Sequence, residues 1–195
     1  MSVEPPVVAG EVDPRIAAEL PGLGLRYCEF PVSGDLARRS PADLVVRIRS
    51  LSDRARGAHA IALRARPIPH AYRVLFRHLG IEPDEQRIPV EAFMLERLRR
   101  GVYPSRGLLA DALMVATIET EVGVWACTPV GALRLALDGG QVVVADDRGV
   151  VAPVFSAPPL DLGTDRLVVY ALTAARVPEI AVEEALWIAW DLVTG

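Results

Sequence analysis

Lysine is absent from this chain: all 21 of its basic residues are arginine. Cysteine is nearly absent. Cys28 and Cys127 lie far apart, which supplies neither a disulfide framework nor a zinc site. The three histidines, His59, His70 and His78, have no metal-ligand spacing with any partner, so no metal and no cofactor is expected. No run of about 18 apolar residues occurs, which excludes a spanning helix. The opening "MSVEPPVVAG" lacks a basic stretch followed by an apolar one and does not read as a secretory signal. No membrane association and a cytoplasmic location are therefore expected. There is no nucleophile elbow, no glycine-rich loop after a strand and no HExxH. Serine, cysteine and metal hydrolysis thus have no motif behind them, and an enzyme that only orients water stays open.

What is present is a hydrophobic fraction of 51% over 195 residues, enough for one self-sufficient core. A single domain over 1–195 is expected. Charge is unevenly spread within a net −4. Residues 38–106 hold 15 arginines against 7 acids, while both flanks are acidic. Two readings follow: a nucleic-acid face, or arginine-rich helices whose solvated sides pair with acids from the flanks.

"EVDPRIAAELPG" reads as a short helix with Asp13 as N-cap and Pro14 at its first position. "LRYCEFPV" reads as a strand leading into a Ser-Gly turn. "SPADLVVRIRSLSDRARGA" restarts a helix with Ser40 as cap, and "HAIALRARPIPH" reads as a connector. Two helices follow, one closed by Gly80 and one led by Pro89 and closed by Gly101. "GLLADALMVATIETEVG" is the most apolar helix and belongs in the core. Beyond Gly123, "ALRLALDGG", "QVVVADDRGVVAPVF" and "RLVVYALTA" are β-like, and "PEIAVEEALWIAWDLV" closes the chain as an amphipathic helix. The order predicts an α+β domain with a mixed or antiparallel sheet packed against several helices.

Asp111 is the oddest carboxylate, set in an apolar helix where its charge needs a partner. It either pins that helix or faces a pocket. Glu91 has a structural reason in the first turn of its helix. Arg87 follows "EPDEQ" and either ties Glu82, Asp84 or Glu85 or extends into a cleft. His70, after "PIP", caps a helix or faces a cleft, and His78 reads as structural.

Taken in order, "LGIEPDEQRIPVEAFMLERLRRG", "LLADALMVATIETEVGVWA" and "VVVADDRGVVAPVF" resemble the tRNA-binding and editing domain of the phenylalanyl-tRNA synthetase beta chain, its third and fourth modules (B three/B four). Free-standing relatives of that domain open with a segment similar to "EVDPRIAAELPGLGLRYCEFPVSG", and the likeness covers roughly 8–175. The resemblance implies an α+β fold with a pocket between helices and sheet, tRNA as partner, and hydrolysis in trans of a wrongly charged aminoacyl-tRNA. It implies that Asp111, Thr117 and Glu119 help orient water and that Arg87, Glu91 and His70 line the substrate site. A tRNA end would then follow Arg47, Arg54, Arg97 and Arg100. The carry-over is partial, because positions where the family carries asparagine read Gly107 and Met114, and a serine position reads Pro89. The alternative is a catalytically inactive module of the same shape that binds an amino-acid-like small molecule, tRNA or a protein partner. Trp187 and Trp190, on the last helix, are either core residues or interface anchors.

Overall fold

The computed structural model describes residues 5–31, 38–158, 160 and 166–195. Strand β1 (Val8–Val12) precedes the short helix α1 (Pro14–Glu19). Asp13 caps α1 as expected, its carboxylate accepting from Arg15 N at 2.9 Å. Strand β2 (Gly24–Pro31) follows; the Ser-Gly turn expected after it lies outside the described residues. Then come helices α2 (Ala42–Arg54), α3 (Gly57–Leu63), α4 (Pro67–His78), α5 (Pro89–Arg100) and α6 (Leu108–Thr120). Strands β3 (Val124–Cys127), β4 (Arg134–Asp138), β5 (Gln141–Asp146), β6 (Gly149–Pro153) and β7 (Arg166–Thr173) lead to the final helix α7 (Glu179–Thr194).

The seven strands form one sheet in the order β3-β7-β2-β1-β4-β5-β6. Every neighbouring pair is antiparallel except β1 and β4, where Glu11 lies beside Arg134 in parallel register. The sheet is therefore mixed, and the chain is one α+β domain. Among the described residues no helix is long and apolar enough to cross a membrane.

Helix α6 is apolar round most of its circumference because it is enclosed on most sides, with Ala110 and Glu119 left exposed. Leu44, Ile48 and Leu51 of α2 meet Leu108, Met114 and Val115 of α6, while α7 and β3 cover other faces. Between α4 and the sheet the space is filled by rings. Phe155 sits 4.4 Å from Phe76, 5.8 Å from Trp125 and 6.1 Å from Tyr72 (centroid to centroid), and Trp125 stacks on Tyr170. Such rings contribute large buried area and favour edge-on or offset contacts. The Tyr72 hydroxyl donates to Leu172 O at 2.7 Å, tying α4 to β7.

Several local readings need correction. Ser40 does not cap α2; Pro41 stands at that position, and the Ser40 hydroxyl turns to Asp111 instead. The expected connector at "HAIALRARPIPH" contains most of α3 and the first turn of α4. Pro67 and Pro69 fit there because the first-turn amides of a helix have no partner within it. Strands β1 and β3 are additional: β1 has Gly10 and Glu11 within five residues, and all four residues of β3 are buried, so neither shows an apolar–polar alternation. Helix α6 ends three residues before Gly123, and the left-handed closing position falls on Glu121, with φ 65°. Gly123 is required for packing: a Cβ there would stand 2.7 Å from both Pro89 Cγ and Trp125 Cη2.

Candidate functional site

Asp111 is wholly buried in the first turn of α6. Its Oδ2 accepts from Ser40 Oγ at 2.6 Å and from Ser105 Oγ at 2.5 Å, and its Oδ1 accepts from Arg106 N at 2.8 Å. Three donors on one carboxylate satisfy a buried charge without an ion pair. The backbone adds a fourth tie to the same place, Leu108 N donating to Arg38 O at 2.9 Å. Asp111 thus staples residues 38–40 and 105–106 to the start of α6, and it lines none of the cavities described below.

The other expected residues scatter. The Thr117 hydroxyl is buried and accepts from Val124 N at 3.3 Å, joining α6 to β3. Glu119 is gripped by both guanidinium ends of Arg47, with Nε 2.9 Å from Oε1. Asp111, Thr117 and Glu119 therefore do not converge on one water. Of the arginines expected to meet phosphate, Arg47 is held by Glu119, Arg97 donates to Ser52 O at 3.0 Å, and Arg100 pairs with Glu96 at 3.0 Å. Arg54 is exposed and makes no ion pair among the described residues.

Arg87 holds its turn: Nη1 donates to Asp84 Oδ1 at 2.7 Å and to Pro83 O at 3.4 Å, and lies 3.9 Å from Glu91 Oε2. Both Glu91 oxygens accept from Arg73 Nη1, at 2.9 and 3.1 Å, in a pair that is almost wholly buried. Asp84 receives Arg64, Arg73 and Arg87 together, and the hydrogen bonds from Arg73 and then Arg87 hold its carboxyl below the usual range. Arg87 and Glu91 border only a cleft of about 100 Å³. His70 is exposed in the first turn of α4 and borders no described cavity.

A larger hollow, about 380 Å³, lies where α2, α3 and α5 meet the end of α6. Leu63, Val90, Met94 and Ile118 supply its apolar wall. Two buried polar groups on that wall have no hydrogen-bond partner: the Tyr103 hydroxyl and Glu121 Oε1. Tyr103 is 4% exposed and Glu121 6%. Arg66 Nη1 stands 2.5 Å from Glu121 Oε1, an ionic contact whose geometry falls short of a full hydrogen bond. Burial pushes the Glu121 carboxyl up from its ordinary value, partly offset by Arg66. Burial likewise raises the Tyr103 phenol, which stays protonated. His59 and Arg54 stand exposed on the border of the hollow.

Glu121 violates three local preferences at once. A residue with a Cβ at φ 65° is strained, by roughly 1–3 kcal/mol. A carboxylate at a helix C-terminus faces the negative end of the dipole. A buried charge needs full hydrogen bonding, and this one lacks it. Such a residue marks a site more clearly than Asp111 does. Its sequence signal was the acid in "ETEVG" at a helix end, where glycine or asparagine is usual; the helix boundary had to be known to read it.

A second hollow of about 330 Å³ lies between α1, the end of α4 and the β4–β5 turn, with Glu19, His78 and Gln86 on its border. Among the described residues it is lined by no unpartnered buried group. Cys28 and Cys127 are buried on β2 and β3, and burial pushes both thiols up to about 12, so neither is a thiolate nucleophile. Among the described residues no three histidine, cysteine or acidic side chains group as metal ligands. Compared with family models, with curated proteins and with solved structures, the chain matches none of them.

Proposed function

We propose that this chain is a binding module of the B three/B four kind whose ligand seat is the hollow beside Glu121, and that its ligand is an amino-acid-like small molecule. One observation carries the reading. Two nearly buried polar groups without hydrogen-bond partners, the Tyr103 hydroxyl and Glu121 Oε1, line the same 380 Å³ hollow. Buried polar groups are almost always satisfied, and a mostly apolar cavity with a few unsatisfied polar groups is what a small ligand completes. The ordered motifs that resemble the editing domain support the choice of an amino-acid-like ligand.

Hydrolysis of an aminoacyl-tRNA is the second reading, and the raised proton affinity of Glu121 favours it. A carboxylate with that property can take a proton from water as the water adds to the ester carbonyl. The ester C–O bond then breaks, and the tRNA hydroxyl leaves with the proton. Asp111, Thr117 and Glu119 are each engaged elsewhere, so Glu121 is the base this reading needs.

Calorimetric titration with free amino acids, alongside release of amino acid from mischarged phenylalanine tRNA, tests both. Saturable binding lost in Glu121→Gln, with no release, supports the module. Release that Glu121→Gln reduces without unfolding supports the hydrolase. Neither binding nor release by the wild-type chain refutes both. Any tRNA affinity is expected to weaken steeply with salt.

A further inference from the structure

The hollow is ordered by charge. Deep in it lies Glu121, whose only ionic partner among the described residues is Arg66. Glu119, also on the wall, is neutralised by Arg47. At the border Arg54 and His59 have side chains without hydrogen bond or ion pair among the described residues. The interior therefore wants a cation and the mouth wants an anion.

Arg66 is unusual in its placement. It stands at the N-cap position of α4 and offers no capping bond, and a cation there opposes the positive end of the helix. Its side chain is 60% exposed, yet its tip reaches a carboxylate that is 6% exposed. A side chain held by one ionic contact among the described residues, with most of its length in water, can swing out without disturbing the core.

Resting on the reading of this hollow as the ligand seat, we infer that Arg66 is a displaceable plug occupying the place of the ligand's own cationic group. The ligand enters ammonium-first, displaces the Arg66 guanidinium from Glu121, donates to Glu121 Oε1, and leaves its anionic end on Arg54 and His59. The class selected is a small zwitterion with a free amine. An N-blocked acid is rejected because it brings no cation to a buried carboxylate.

Three compounds with one skeleton separate the parts: leucine, 3-methylbutylamine, which lacks the carboxylate, and N-acetylleucine, which lacks the ammonium. Binding is measured by calorimetry at pH 7, with the unfolding midpoint of each variant as a folding control. Leucine is expected to bind tightest, the amine less tightly, and N-acetylleucine not at all. If the plug is seated about nine-tenths of the time, Arg66→Met tightens the amine about tenfold. Arg54→Gln is expected to remove the advantage of leucine over the amine. Equal binding of N-acetylleucine, or an amine affinity that Arg66→Met leaves unchanged or weakens, overturns the plug and the charge order while keeping the hollow as the seat. No binding of any of the three, to wild type or to Arg66→Met, overturns the seat as well.

Discussion

Asp111→Ala separates a structural carboxylate from a functional one. In the folded chain that carboxylate accepts from Ser40 Oγ, Ser105 Oγ and Arg106 N, at 2.6, 2.5 and 2.8 Å. Hydrogen bonds to a charged acceptor contribute about 1.5–3 kcal/mol each, which puts the ceiling at roughly 4.5–9 kcal/mol. The ceiling is not reached, because Ser105 and Arg106 are exposed and Ser40 is half-buried, so water reaches the released donors. A loss of about 3 kcal/mol is expected, most of it from the emptied space and the loosened 38–40 segment. For a chain of this size that lowers the thermal midpoint by roughly 6–12 °C. Asp111→Asn keeps one acceptor, and its amide can donate to hydroxyls that rotate, so it should lose only about 1 kcal/mol. Urea denaturation of wild type and both variants, with ligand titration on the same samples, reads the outcome. Wild-type stability in Asp111→Ala together with lost binding would refute the staple and return Asp111 to the site.

Glu121→Gln should stabilise the fold at neutral pH. Its folded pKa is raised, so the charged form costs stability above the unfolded value near 4.5, and the cost fades as pH falls through the folded value. The charged neighbours at that hollow are Arg66, Arg54 and the Arg47–Glu119 pair, with the titratable His59 on its border. Unfolding midpoints from pH 7 down to 4 should show the advantage of Gln shrinking, and an advantage that grows on acidification contradicts the assignment. Glu91→Leu removes one of the two carboxylates on buried Arg73 and leaves it Asp84, so it should cost about 1–3 kcal/mol, and the double variant Arg73→Met/Glu91→Leu should recover part of it; equal losses in single and double variants, read by urea unfolding, argue against the pair. Gly123→Ala should destabilise by about 1–3 kcal/mol through overpacking against Pro89 and Trp125, measurable in the same assay.

Much of the architecture was readable from residues alone. Asp13 before Pro14, Pro89 at a helix start and Gly101 at a helix end act within a few residues, so their geometry needs no distant partner. The apolar girth of 108–120 announced a core helix, and valine-rich runs between Gly-Gly and Asp-Asp-Arg-Gly announced β5 and its neighbours. Ser40 misled because its local environment offers a cap, while a carboxylate 71 positions later offers a stronger acceptor. For Arg87 the turn was one of two open readings, and Asp84, only three positions away, is the near partner that holds it.

What the sequence by itself determined is the set of short-range choices: where helices begin and end, which segments are apolar enough to be interior, and the absence of a thiolate or metal motif. Tertiary structure alone decided which carboxylate is satisfied and which is left wanting. Asp111 and Glu121 sit ten positions apart at opposite ends of one helix, and both are buried. Ser40 from a distant segment and Ser105 and Arg106 from just ahead of the helix close around the first, and a single arginine from the start of α4 reaches the second. A buried charge is judged by the donors around it, and those donors are assembled only when the chain folds.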